Sequence, residues 1–245
     1  MTTARLALSL LRPPAQVALW TVVALAWAVI VLADATGMAS ALHHHTLIES
    51  DIALPTAVGL FTAGWLVMVG AMMLPTSSIA IARHQGSVRF MGGYLVTWLA
   101  FGLGCFAGDA LIHRLVDTTP WLAANPWIVA AGTLAVAGAY QLMPIKEGFL
   151  EACRVPELTA HTERGAISGG VAHALDCVGA SGPLMLLMFA AGFASLAWMA
   201  ALTVLMFYEV RGARSTLVVR ASGVFLIWLA LLTSISGVVP GWAGA

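Results

Sequence analysis

Charged residues are scarce in this chain of 245 residues: they make up 9% of the sequence, whereas hydrophobic residues make up 60%. Soluble domains carry about 25% charged residues, so the composition excludes an ordinary soluble fold. The 11 basic and 11 acidic residues balance each other, and the sequence has no basic patch, so we expect no nucleic-acid partner.

Catalytic signatures are lacking as well. The sequence has no phosphate loop, HExxH or CxxC motif and no Ser-His-Asp order, so nothing supports hydrolysis or nucleotide binding, and we expect that the protein is not an enzyme. The three cysteines, Cys105, Cys153 and Cys177, are odd in number and widely scattered. This pattern argues against a disulfide framework.

Long apolar segments are what the chain has in abundance. A helix needs about 20 residues to cross the hydrocarbon core, and lipid offers no partner for free backbone groups. The sequence therefore predicts an all-α, polytopic membrane helix bundle of about seven transmembrane helices, forming a single integral membrane domain over 1–245. The predicted helices cover 16–34, 56–83, 91–114, 126–144, 166–191, 195–210 and 219–238.

The basic residues predict the orientation of these helices. All of the 11 Lys and Arg residues except Arg114 fall into alternate gaps between the apolar segments. Because cytoplasmic loops retain Lys and Arg, we expect a cytoplasmic N-terminus and an external C-terminus. We read the first segment as a retained anchor and expect a multi-pass protein of the bacterial inner membrane, surrounded by the lipid bilayer.

The second apolar segment contains a cluster of thioethers. Met68 and Met72 are four residues apart and share a helix face, with Met73 beside them. Thioethers are soft ligands that suit Cu(I). Methionine is also an adaptable packing residue, so core packing is the alternative interpretation.

The fifth apolar segment contains three chemically active side chains on one side of a helix, His173, Asp176 and Cys177. Ionisable residues within a membrane are costly and tend to mark functional sites or paired partners. The spacing predicts a mid-membrane metal site that these residues share with the methionines, with a neutral His173 oriented by Asp176. The alternative is a hydrogen-bonded His–Asp pair that only holds the bundle together.

Two further groups lie toward the predicted external side. Asp109 and His113 follow Cys105 at intervals of four residues in the third segment, and His43, His44 and His45 are adjacent in an external loop. Imidazole, carboxylate and thiol groups suit a borderline metal, and His-rich tracts bind metals. These residues are candidates for an external loading site. One alternative is that Asp109 pairs with Arg114 or a helix terminus while His113 extends toward the membrane surface. For the three adjacent histidines the alternative is a solvated polar loop.

The loop at about 145–165 begins as a predicted continuation of the fourth helix on the cytoplasmic side, as far as Pro156. Cys153 lies there beside Arg154, which would lower the pKa of a thiol and make it reactive or competent to bind a metal. An ordinary interfacial thiol is the more frequent case. Cys153 is therefore not among the predicted ligands.

Three blocks of sequence resemble an uncharacterised bacterial family of predicted metal-binding integral membrane proteins. They are Trp65-x-x-Met68-x-x-Ala71-Met72-Met73-Leu74-Pro75; Tyr140-Gln141-x-x-Pro144-x-Lys146 with Leu150 and Cys153-Arg154-x-Pro156; and His173 to Cys177-x-Gly179, Leu184-Met185, Phe189, Gly192, Trp198-Met199 and Glu209. The resemblance implies metal handling. This chain departs from the family where further cysteines are typical, at Phe149, Ala180 and Ser181, and where a lysine is frequent, at Val210.

The leading functional hypothesis is a membrane protein that binds or passes a soft transition metal, copper first, through Met, His and Cys side chains. Its partners would be the bilayer and another membrane or periplasmic protein. One alternative is a proton-coupled or other non-metal transporter that uses the His173–Asp176 pair. A further alternative is a structural or assembly subunit of a membrane complex.

Overall fold

The computed structural model describes residues 13–38, 52–84, 86–154, 163–191 and 196–238, and these contain helices and no strand. The helices are α1 Pro13–Ala35, α2 Leu54–Arg83, α3 Val88–Thr118, α4 Pro120–Ala123, α5 Trp127–Gln141, α6 Pro144–Arg154, α7 Glu163–Ala191, α8 Leu196–Arg211 and α9 Ser215–Ser236. Helix α7 packs most extensively on α3, α5 on α9, and α1 on α2. The all-α prediction is confirmed.

The number of membrane-length helices differs from the seven predicted. Among the described residues, five helices are long and apolar enough to cross a membrane, namely α1, α2, α3, α7 and α9. The fourth predicted helix, 126–144, instead ends at Gln141, where the chain bends by 69° into α6. Counting this bent pair as one span gives six. Helix α8 has 16 residues, about 24 Å, which is shorter than a hydrocarbon core of about 30 Å.

Helix α2 contains Pro75, which has no backbone N–H to donate to the carbonyl of Ala71. The indole Nε1 of Trp27 on α1 donates a hydrogen bond of 3.1 Å to this carbonyl instead. An unpaired carbonyl within a membrane is costly, so the contact stabilises α2 at Pro75 and attaches α1 to α2.

Helix α7 repeats the arrangement around Pro183. The carbonyl of Gly179, four residues earlier, accepts a hydrogen bond of 2.7 Å from the Tyr140 hydroxyl on α5. The two proline-containing helices therefore each have one carbonyl satisfied by an aromatic side chain from a neighbouring helix. Pro75 and Pro183 both lie within a few residues of the candidate site described below.

Glycines bring α3 and α7 into direct backbone contact. A Cβ atom added to Gly170 on α7 would collide with the backbone of Phe90, and one added to Gly93 on α3 would collide with the backbone of Ile167. Neither obstacle is a flexible side-chain end that can move aside. Small residues permit this close helix packing in membranes. By contrast, Gly104 on α3 has no atom within 4 Å of its added Cβ.

We expect Gly170→Val to destabilise the protein by roughly 1–3 kcal/mol or more, because the valine must separate α3 from α7. Thermal unfolding of the purified protein in detergent measures the effect. Gly104→Val is the matched control, since it adds the same side chain to open space and should shift the stability by no more than about 0.5 kcal/mol. Equal effects of the two variants would contradict the close packing.

Candidate metal centre

Helix α6 carries Cys153 into the interior of the bundle. Its buried residues, Lys146, Leu150 and Cys153, are spaced i, i+4 and i+7, so they form one face of the helix, while Glu147 and Glu151 are exposed. The bend after Gln141 turns this face toward α7 and α8. A segment expected at the cytoplasmic boundary therefore contributes a buried thiol.

Three potential ligands meet at this point: Cys153, His173 and Cys177. Their ligand atoms all lie within 4.8 Å of one another, and all three residues are buried. The Sγ atoms of Cys153 and Cys177 are 2.8 Å apart, and Nε2 of His173 is 3.5 Å from Sγ of Cys177. The cysteines are free thiols. Two sulfurs and one imidazole nitrogen form a set suited to soft and borderline metal ions.

The imidazole of His173 is positioned by aromatic packing. It lies against Phe90 and Tyr94, with ring centroids 6.0 and 5.9 Å away. Its Nδ1 atom forms no hydrogen bond within the described residues, while Nε2 faces Cys177. None of these contacts of His173 involves Asp176, which is only partly buried. The orientation of His173 by Asp176 stays a prediction.

A hydrogen-bonded pair of side chains from α2 and α3 lies beside the Cys177 sulfur. The Ser77 hydroxyl is 3.7 Å from this sulfur and donates a hydrogen bond of 2.9 Å to the Tyr94 hydroxyl. On the other side, the Ser181 hydroxyl donates to the backbone carbonyl of Cys177 at 2.7 Å and lies 3.7 Å from the Met73 sulfur. The Cys177 sulfur thus contacts side chains of α2 and α6.

A small cavity opens beside the two thiols. Its volume is about 10 Å³, close to the minimum for one water molecule, so it suits a guest of atomic size. The lining comes from α2, α6, α7 and α8 and comprises Met73, Thr76, Leu150, Cys153, Cys177, Ala180, Ser181, Met206, Glu209 and Val210. Three of the positions at which this chain departs from the family pattern, Ala180, Ser181 and Val210, lie in this lining.

A buried ion pair lies at the α8 side of the cavity. Lys146 Nζ is 2.8 Å from Glu209 Oε2, and the two side chains are 0% and 2% exposed. The other carboxylate oxygen accepts a hydrogen bond of 2.6 Å from Gln141 Nε2, which also donates to Ser222 at 2.8 Å. Burial of a charge is costly unless it is paired and hydrogen-bonded, as this carboxylate is.

Two guanidinium groups bring positive charge to the same region. Arg154 follows Cys153 directly and donates to the backbone carbonyls of Glu209 and Val210 on α8. Arg211 donates to the Thr76 carbonyl at 3.0 Å on α2, and it is close enough to Cys153 to interact with it electrostatically. These cations can compensate negative charge that develops on the thiols.

The remaining predicted ligands are distributed differently. Met73 lines the cavity, whereas Met68 and Met72, although buried, are not part of its lining. On α3, His113 Nδ1 lies 3.0 Å from the Asp109 carbonyl and 3.7 Å from its carboxylate, so this pair is local and separate from the centre. The run His43, His44 and His45 lies outside the described residues.

A third thiol at the cavity should strengthen metal binding. We expect Ser181→Cys to raise Cu(I) affinity by about 10-fold, because a thiol is a softer ligand than a hydroxyl. Competition with a chromophoric Cu(I) chelator measures the change. Ser168→Cys is the control, since it adds a thiol to an exposed position on the same helix. An equal gain from both variants would show that any added cysteine suffices.

Comparison with known proteins identifies the family. A family model described as "PpoB2: Copper chaperone" matches residues 62–233, well over half of the chain, so the chain belongs to this family. The match agrees with the metal-binding part of the resemblance drawn from the three sequence blocks, and it includes every helix from α3 to α8 in full. Neither the search of curated proteins nor the search of solved structures finds a match.

Proposed function

We propose that this member of the PpoB2 copper chaperone family binds one Cu(I) ion within a membrane, through Cys153, His173 and Cys177, and passes it to a partner. The observation that carries the proposal is the convergence of these three buried ligands, which come from two helices and lie within 4.8 Å of one another. The family description supports copper as the metal.

The donor set and its surroundings favour Cu(I) over a hard cation. Thiolates are soft ligands, and imidazole suits copper, whereas Mg²⁺ and Ca²⁺ prefer oxygen. A Cu(I) ion bound by two thiolates and a neutral imidazole carries one net negative charge. Arg154 and Arg211 lie beside the cavity and offset that charge, which makes a buried complex of this kind less costly.

A membrane location is supported by the outer surface of the bundle. Five helices have the length and apolarity to span a bilayer, and large apolar side chains point outward. On α9 alone these include Leu217, Val224, Phe225, Trp228, Leu231 and Ile235. We propose the bacterial inner membrane, with a cytoplasmic N-terminus as the distribution of basic residues predicts.

Transfer to a partner would proceed by ligand exchange. Met73 borders the cavity next to Cys177, so its thioether can take the place of one thiolate while the ion moves. The receiving protein would be another membrane or periplasmic protein. The alternative of a proton-coupled carrier has weaker support, because the contacts of His173 described above join it to Cys177, Phe90 and Tyr94.

Anaerobic titration of the reduced, detergent-purified protein with Cu(I), in competition with a chromophoric chelator, tests the proposal. We expect one tightly bound Cu(I) per chain, since one such ligand group occurs among the described residues. Absence of binding at low micromolar Cu(I) would overturn the proposal. Retention of full affinity in Met72→Ala is also expected, because Met72 does not line the cavity.

A further inference from the structure

We propose that Cys153 and Cys177 are also a redox pair, which reduces cupric copper and closes to a reversible disulfide. This activity goes beyond the proposed function, which concerns binding of copper that is already reduced. It uses the same two cysteines, but it does not require that the reduced protein retain Cu(I).

The Sγ atoms of Cys153 and Cys177 are close enough to form a disulfide after a small movement. Their separation of 2.8 Å compares with about 2.05 Å in a disulfide, so closure needs a displacement of less than 1 Å. The two thiols come from separate helices, α6 and α7, which pack against each other. Cys105, the other cysteine, is on α3 and belongs to no such group.

A proton acceptor lies next to the pair. Thiolate, rather than thiol, is the form that reacts in disulfide chemistry. Nε2 of His173 is 3.5 Å from the Cys177 sulfur and can receive its proton. The cavity beside the sulfurs is large enough for an atomic ion, so a cupric ion held there would lie next to both of them.

The electron balance requires two cupric ions for each disulfide. Two S–H bonds break, one S–S bond forms, two electrons pass to two Cu(II) ions to give two Cu(I) ions, and two protons are released. The first proton passes to His173. The product has no thiolate, because both sulfurs are in the new bond. Oxidation therefore removes two of the three ligands of the proposed site, and copper should leave it.

Thiol counting by intact mass tests this proposal on the full chain in detergent. Reduced protein is treated anaerobically with Cu(II), or with diamide as a metal-free oxidant, then quenched, denatured and alkylated with N-ethylmaleimide. We expect a single maleimide after either oxidant, on Cys105, and three when dithiothreitol is added first. A Cu(I)-specific chelator should detect about two Cu(I) ions per disulfide.

The variants separate this pair from nonspecific thiol oxidation. Cys105→Ser should leave no maleimide after oxidation, and Cys153→Ser should leave two. Three maleimides on the oxidised wild type would overturn the proposal, as would a crosslinked dimer on a non-reducing gel. Cu(I) titration of the reduced protein reports on the proposed function independently, so failure of one can be told from failure of the other.

Discussion

Replacing Cys177 with alanine is expected to weaken Cu(I) binding by at least about 100-fold, or about 2.7 kcal/mol. The Cys177 sulfur is the centre of the group: it is the atom within hydrogen-bond distance of both Cys153 and His173. Without it, the site keeps one thiol and the imidazole and loses one of its two sulfur ligands. Competition titration with a Cu(I) chelator measures the loss.

Cys105→Ala is the matched control for this prediction. Cys105 is also a cysteine on a predicted membrane helix, but it is not part of the ligand group. Its replacement should change the affinity by no more than about twofold. If the two variants bind copper equally well, the three-residue site does not hold the metal.

Removal of the Lys146 charge is expected to destabilise the protein by about 3–5 kcal/mol. Lys146→Met keeps most of the side-chain volume but leaves the Glu209 carboxylate buried without its cation. The hydrogen bond from Gln141 does not replace a full positive charge. Thermal or denaturant unfolding in detergent measures the effect.

The double variant Lys146→Met with Glu209→Leu separates loss of the pair from loss of one partner. Replacing a buried ion pair by apolar residues is often neutral, so the double variant should regain most of the stability that the single variant loses. Arg220→Ala is a control for an exposed pair, because Arg220 and Glu147 are 3.7 Å apart and largely exposed. It should cost less than about 1 kcal/mol. Additive losses in the double variant would contradict this account.

The sequence predicts much of the fold because hydrophobic length is a local property. The apolar segments near α1, α2, α3, α7 and α9 are each long enough to span a bilayer, and the structure forms helices there. The bend after Gln141 is different. The apolar sequence of the fourth segment passes into a polar one without interruption, which predicts that its helix continues. In the structure, the turn before Pro144 instead redirects the chain by 69°.

The candidate site could be predicted only in part, because only some of its contacts join residues that are close together in the sequence. His173 and Cys177 are four residues apart on one helix, so their proximity follows from helix geometry alone. The contact between Cys153 and Cys177 joins α6 to α7 and depends on the bend. One signal was present in the sequence: the i, i+4, i+7 spacing of Lys146, Leu150 and Cys153 indicates a buried face.

The role of Asp176 shows where spacing alone is insufficient. At three residues from His173, its carboxylate was expected to orient the imidazole. The structure adds the flat faces of Phe90 and Tyr94, which come from α3 and pack against the ring. Contacts between helices that are distant in the chain depend on packing, such as the close approach at Gly93 and Gly170, which the composition of one helix does not determine.

X-ray absorption spectroscopy of the Cu(I)-loaded protein tests the central claim most directly, because it reports the atoms bound to copper. We expect two sulfur ligands and one imidazole nitrogen, corresponding to Cys153, Cys177 and His173. In Cys153→Ser, one sulfur should disappear from the spectrum. A spectrum with no imidazole, or one that is unchanged in Cys153→Ser, would contradict the proposed copper site.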